Sequence, residues 1–254
     1  MTNQIPSVHH IIQIRKKRNT ANLNSPANVG GRIAVIIITI LSVSLALSGI
    51  LATTIFAILI SDLPSTLELT RLLDPPEGTL LESTVIYDRS GEHILLKLEN
   101  PAASNKQYLS INDNMENHIP KVLIDATIAI SDPSFWSDTG STFAGLINND
   151  QPTIAQRLAN DLLLWNETPG WQRALRERLL AAQIIDQYGR EKILEWYLNS
   201  ADYGRLAYGA DAAAWTYFGK SATDLTLSEA AILAATAQTP GLNPHDAPEL
   251  VTEH

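Results

Sequence analysis

The sequence predicts a mainly α-helical domain with one small β-hairpin, preceded by a single transmembrane helix. Three observations carry that reading. Residues Ile33 to Ser61 form an uncharged run of 29 residues, against the roughly 20 that cross a bilayer core. The stretch from Thr84 to Leu98 reads as strand, tight turn, strand. From Ile119 onward, apolar residues recur at helical spacing between Gly, Pro and Asn punctuation.

The uncharged run is far longer than the apolar region of a signal peptide, usually about 7–15 residues, so it reads as a lasting anchor. Residues 1–32 carry Arg15, Lys16, Lys17, Arg18 and Arg32 and no acidic residue, and the first charge after the run is Asp62. That cation bias predicts a cytoplasmic N-terminus, with everything after Ser61 on the other side. Subtracting this +5 from the formal net charge of −9 leaves −14 on the exported part. Such a balance excludes nucleic acid as a partner, because phosphate-backbone binding needs a basic patch. With no cysteine the chain has neither disulfides nor thiolate ligands, so its stability outside must come from the core. The length of 254 residues leaves room for one well-filled domain beyond the anchor.

The organisation expected is a basic tail over 1–32, the transmembrane helix over 33–61, a stalk over 62–82, a folded domain over 83–245 and a short tail over 246–254. Pro64, Pro75 and Pro76 break any long helix in the stalk. Thr84 to Tyr87 and His93 to Leu98 form the hairpin, with Gly91 free to take positive φ. Ile119-Pro120-Lys121 opens a helix with proline near its first turn, and Val122, Leu123, Ala126, Ile128, Ala129 and Ile130 give its apolar face. Further helices are expected at about 153–165, 171–188, 190–199, 206–217 and 226–237. The last begins with Thr226 as N-cap and Glu229 three residues on, the pattern of a capping box.

Four groups of residues stand out in order. They are Ser131-Asp132-Pro133-Ser134-Phe135 with Asp138 and Gly140, Thr153-Ile154-Ala155-Gln156-Arg157-Leu158-Ala159-Asn160, Arg173-Ala174-Leu175-Arg176-Glu177, and a long run from Tyr188. That run holds Tyr203-Gly204, Tyr208-Gly209-Ala210, Tyr217-Phe218-Gly219-Lys220, Leu225 to Ala230 and Gln238-Thr239-Pro240. In order and spacing they resemble the peptidoglycan glycosyltransferase domain of bacterial penicillin-binding proteins and monofunctional transglycosylases, over about residues 78–245. The resemblance implies a lysozyme-like, mainly α-helical fold. Most of the final run also has structural reasons: Ile193, Leu194, Tyr197 and Leu198 form an apolar stripe, and Glu195, Asn199 and Lys220 suit capping or supporting positions.

In that family the substrates are lipid II and an undecaprenyl-pyrophosphate-linked glycan, joined with release of the lipid pyrophosphate, and the cofactor implied is Mg2+ or Mn2+ with no organic group. A Glu opens the first motif as the base for the acceptor hydroxyl, and here that position is Ser131. A serine hydroxyl takes no proton at neutral pH without an activating base. Asp132 is the adjacent carboxylate and the replacement candidate, although neighbours on a helix point about 100 degrees apart. The family His falls near Asp138, the second-motif Lys is Asn160 and the third-motif Lys is Ala174. Thr153, Gln156, Arg157 and Arg173 remain as candidate substrate-binding residues, with Arg157 standing one turn from Asn160 either as its substitute or as a solvent-facing charge. Glu177 is the candidate catalytic and metal-binding carboxylate, sharing a helix face with Arg173 at i and i+4.

The family's paired glycines before Thr153 are absent, and the segment between Gly140 and Asp150, which contributes to a membrane-dipping lobe in the family, is short. Neither a Ser-x-x-Lys nor a Lys-Thr-Gly signature occurs, so penicillin acylation is not expected of these residues. Two functions follow: a glycosyltransferase with an altered or slowed site, or a non-catalytic anchored protein that binds wall precursors or wall-synthesis enzymes. Its partners would include membrane lipid, and its place a bacterial cell membrane.

Overall fold

The computed structural model describes residues 26–75, 78, 82–137 and 152–247. The chain falls into two units, Met1–Asp62 and Leu63–His254. The basic tail up to residue 25, the C-terminal residues from 248, and Asp138, Gly140, Asp150 and the short segment between them lie outside the described residues.

Among the described residues the first unit contains the helix α1, Pro26–Ile60. Its stretch Val29–Ile58 has a mean hydropathy of 2.6 and buries nothing within the protein, so it is long and apolar enough to cross a membrane. The hydroxyls of Thr39, Ser42, Ser48, Thr53 and Thr54 all donate to carbonyls three or four residues back. Those bonds satisfy the hydroxyl donors within the helix, as an apolar surrounding requires.

The second unit is mainly helical. It opens with α2, Leu67–Leu73, in the stretch where the sequence suggests a stalk. Leu69 and Leu73 are fully buried, the Thr66 hydroxyl donates to Gln187 Oε1 at 2.6 Å, and Asp74 accepts from the Trp196 indole at 2.8 Å. Pro64 and Pro75 bracket this short helix without preventing it, so residues 67–73 belong to the packed domain.

Strands β1, Thr84–Tyr87, and β2, Ile94–Leu98, form an antiparallel hairpin with a bulge between Ile86 and Tyr87. The second strand starts one residue later than the sequence suggests. The Asp88 carboxylate accepts from the amides of Ser90, Glu92 and His93 and holds His93 in the turn, while Gly91 takes φ +77°.

Among the described residues six α-helices follow: α3, Lys121–Ser131; α4, Ile154–Leu162; α5, Trp171–Tyr188; α6, Arg190–Ser200; α7, Ala210–Phe218; and α8, Leu227–Gln238. The central α6 buries Ile193, Leu194, Trp196 and Leu198. Its polar Glu195 and Asn199 are also buried, because Glu195 accepts from the amide of Ile111 and the hydroxyl of Tyr108, and Asn199 accepts from the amide of Leu109. Both therefore satisfy backbone of the incoming loop.

The helix expected from 206 begins only at Ala210. Gly204, Arg205 and Leu206 all have positive φ, which turns the chain back so that Gly209 donates to the Ala201 carbonyl before α7 starts. A Cβ on Gly209 would lie 2.6 Å from the Asn199 carbonyl oxygen, so this close approach requires glycine. Finally, α8 packs along α3, and α4 packs against both α5 and α6. These contacts bring the C-terminal ends of α3 and α8 to the first turns of α4.

Candidate functional site

Ser131, the last residue of α3, is 5 % exposed. Its hydroxyl accepts from the side-chain amide of Gln238, the last residue of α8, and Gln238 Oε1 in turn accepts from the Arg157 guanidinium on α4. Tyr197 on α6 lies beside Ser131; burial raises its phenol above the ordinary value, opposed by Arg157 and by the Ser131 hydroxyl. Among the described residues the Arg157 Nε is buried and unpartnered. Arg157 is thus turned inward, which corrects the solvent-facing alternative.

Ser131 is accordingly a neutral hydroxyl inside a Ser131–Gln238–Arg157 chain, and a cation stands one side chain away.

Asp132 does not face that chain with a spare carboxylate. Its Oδ2 accepts from the backbone N–H of Ile154 at 3.3 Å and its Oδ1 from the Ser134 hydroxyl at 3.2 Å, with 6 % of the residue exposed. It braces the first turn of α4, where a negative charge meets unsatisfied N–H groups. As the replacement base it is poorly placed.

Thr153 and Gln156 form a complete capping box: Thr153 Oγ1 accepts from the Gln156 amide at 3.2 Å, and Gln156 Oε1 accepts from the Thr153 amide at 2.9 Å. Both oxygens are spent on starting α4, and Gln156 is buried. Their first role is therefore to set the helix that carries Arg157 and Asn160.

Arg173 donates from Nη2 to Asn160 Oδ1 and from Nη1 to the Glu167 carbonyl, both at 2.6 Å. Asn160 donates to Asp161 Oδ1 at 2.8 Å. Arg176 pairs with Glu167 at 3.0 Å, and Ala174 is exposed and offers no charge. The helix-face spacing of Arg173 and Glu177 does not become an ion pair, because the Arg173 fork is held by Asn160 and the loop.

Glu177 is left half-buried, with no hydrogen bond to any described residue. Burial raises its carboxyl above the ordinary value; Arg173, Arg178 and Arg157 oppose the rise and Asp161 adds to it. Among the described residues no three carboxylate or histidine groups gather as a metal cage. The donor set still fits Mg2+ or Mn2+ held jointly with a phosphate-bearing ligand, since such cations need only one or two protein carboxylates, here Glu177 with Asp161 nearby.

Two members of this cluster, Gln238 and Tyr197, are not evident as site residues from the sequence. Tyr197 lies in an apolar helix stripe and Gln238 in the Gln-Thr-Pro that ends α8. Only the Gln in an otherwise apolar helix end was a signal.

The family model described as Transglycosylase matches residues 98–254. Penicillin-binding protein 1A of Aquifex aeolicus (strain VF5) is 36 % identical over 194 residues, covering 68 % of this chain and 25 % of that protein. Its counterpart in Rickettsia felis is 32 % identical over 199 residues, 72 % of this chain and 23 % of that protein. Penicillin-binding protein 1F of Bacillus subtilis (strain 168) is 30 % identical over 181 residues, 66 % and 24 %. The chain thus spans about a quarter of the length of these curated relatives.

Proposed function

The chain belongs to the transglycosylase family, and on that premise we propose that it is a membrane-anchored binder of lipid-pyrophosphate-linked glycan precursors that does not elongate them. The observation that carries this reading is the Ser131–Gln238–Arg157 chain. Polymerisation needs a base on the acceptor hydroxyl, and neither Ser131 nor the braced Asp132 supplies one. Binding asks for less. Arg157 offers a guanidinium to a phosphate, Glu177 with Asp161 offers oxygen ligands to a divalent cation, and that cation would neutralise the pyrophosphate charge when bound.

The ligands on this reading are lipid II and an undecaprenyl-pyrophosphate-linked glycan, with wall-synthesis enzymes as further partners. The cation bias of residues 1–32 supports a cytoplasmic N-terminus, with the domain outside a bacterial cell membrane.

The test uses the full chain in detergent with lipid II, varying Mg2+ and Mn2+. The expected result is saturable binding without polymer, weakened about tenfold or more in Arg157→Ala, the scale of a lost charge-assisted hydrogen bond. Glycan polymer that disappears in Glu177→Gln would overturn it.

A slowed transferase is the second reading, and the raised, unpartnered carboxyl of Glu177 favours it, because such a group is suited to proton transfer. The same polymerisation assay separates the two.

A further inference from the structure

An open cleft of about 470 Å³ lies at the start of α5, lined by residues 166–173 and Arg176. Trp171, its aromatic wall, is 66 % exposed. We infer that this cleft is a saccharide subsite, in which Trp171 carries the apolar face of an uncharged sugar ring and the side-chain amides of Asn166 and Gln172 bind its hydroxyls.

The charges in the cleft select against other ligands. Arg173 is held by Asn160 and the Glu167 carbonyl, and Arg176 is paired with Glu167. A phosphate would find these cations already engaged. A wholly apolar ligand would leave the amides of Asn166 and Gln172 unpaired; among the described residues neither amide makes a hydrogen bond, and both residues are exposed. A neutral polyol matches both features, since its C–H face suits an indole ring and its hydroxyls suit planar amides. The volume falls in the usual range for small-ligand sites, about 300–1,000 Å³.

The cleft adjoins the candidate site through Arg173, which bonds the cleft loop with one nitrogen and Asn160 with the other. The inference rests on the proposed reading of Arg157, Glu177 and Asp161 as the pyrophosphate site, and it extends that site to the glycan. It adds Trp171, Asn166 and Gln172, which no sequence motif singles out.

Chitotetraose, an uncharged N-acetylglucosamine oligomer without lipid or phosphate, is the probe. Titrated into the full chain in detergent and followed by tryptophan fluorescence and calorimetry, it should bind saturably. Trp171→Ala should weaken binding about tenfold, the scale of a lost aromatic contact, and Asn166→Ala with Gln172→Ala should weaken it further. Glu177→Gln and Arg157→Ala should alter lipid II binding while leaving chitotetraose binding as it is, so failure of the pyrophosphate-site reading and failure of the cleft are told apart. Unaltered melting temperatures confirm that the exposed substitutions leave the fold intact. Absence of chitotetraose binding, or equal binding by Trp171→Ala, overturns the inference. So does a Trp171→Ala variant that binds chitotetraose normally but loses adsorption to phosphatidylglycerol vesicles, since Trp171 would then be a membrane contact.

Discussion

The Gln238 side-chain amide donates to the Ser131 hydroxyl, tying the last residue of α8 to the last residue of α3, while its oxygen accepts from Arg157. A glutamate introduced at residue 131 would therefore meet an amide and a guanidinium. An opposite charge at short range holds a carboxyl low, commonly by about 1–3 pKa units, which weakens it as a base. Ser131→Glu alone is expected to yield little or no polymer from lipid II, and Ser131→Glu with Arg157→Gln distinctly more. Equal activity of the two variants would show that Arg157 does not control this position.

Glu177 leads to a pH prediction. Burial raises its carboxyl in the folded state, so the folded chain binds more protons than the unfolded chain between the two pKa values. Stability attached to this group is present at low pH and is lost as pH rises from the unfolded value through the raised folded one. Glu177→Gln removes that cost. Thermal melts should show the variant more stable than the natural protein at pH 7–8, by a few degrees at most, with the difference vanishing near pH 4. A variant less stable at neutral pH would mean that the carboxylate has a partner that holds it charged.

How far the sequence reaches is visible in particular elements. The α5 range, 171–188, and the Thr226 capping box are read correctly because periodicity and caps are local. The Ser131–Gln238 bond spans 107 positions, and the Asp132 brace on Ile154 spans 22. Such contacts depend on which helices pack together, which local spacing does not encode. Helix α2 was hidden by its flanking prolines, since seven residues make a helix only when tertiary burial of Leu69 and Leu73 supports them. The delayed start of α7 follows from two residues other than glycine in the left-handed region, a choice that propensity disfavours.

The loop before α7 gives two opposite expectations. Gly209 has φ +89° and no room for a Cβ against the Asn199 carbonyl, so Gly209→Ala should cost more than about 2 kcal/mol. Leu206 has φ +61° and is half exposed, so it bears left-handed strain and buries little. Leu206→Gly should relieve about 1 kcal/mol of that strain, partly offset by the greater freedom of glycine when unfolded. Urea unfolding of the two variants should move the midpoints in opposite directions, or leave Leu206→Gly unchanged. Strong destabilisation by Leu206→Gly would show that its side chain is needed for packing.

Two capping boxes test whether Thr153 acts beyond structure. Thr226 caps α8, with Glu229 held down to about 2 by Lys220 and by its bonds to Thr226. This support is present above the ordinary carboxylate range and fades as pH falls towards about 2, so Thr226→Ala should narrow the stability difference between pH 7 and pH 3. Thr153 makes the equivalent box at α4. Each Thr→Ala change should cost about 1 kcal/mol, the usual size for a lost N-cap. If Thr153 serves only to start α4, Thr153→Ala should bind lipid II as the natural chain does once measured well below its melting temperature. A loss of affinity in the folded Thr153→Ala protein, absent from Thr226→Ala, would instead place the Thr153 hydroxyl on the ligand and make the α4 cap part of the recognition surface.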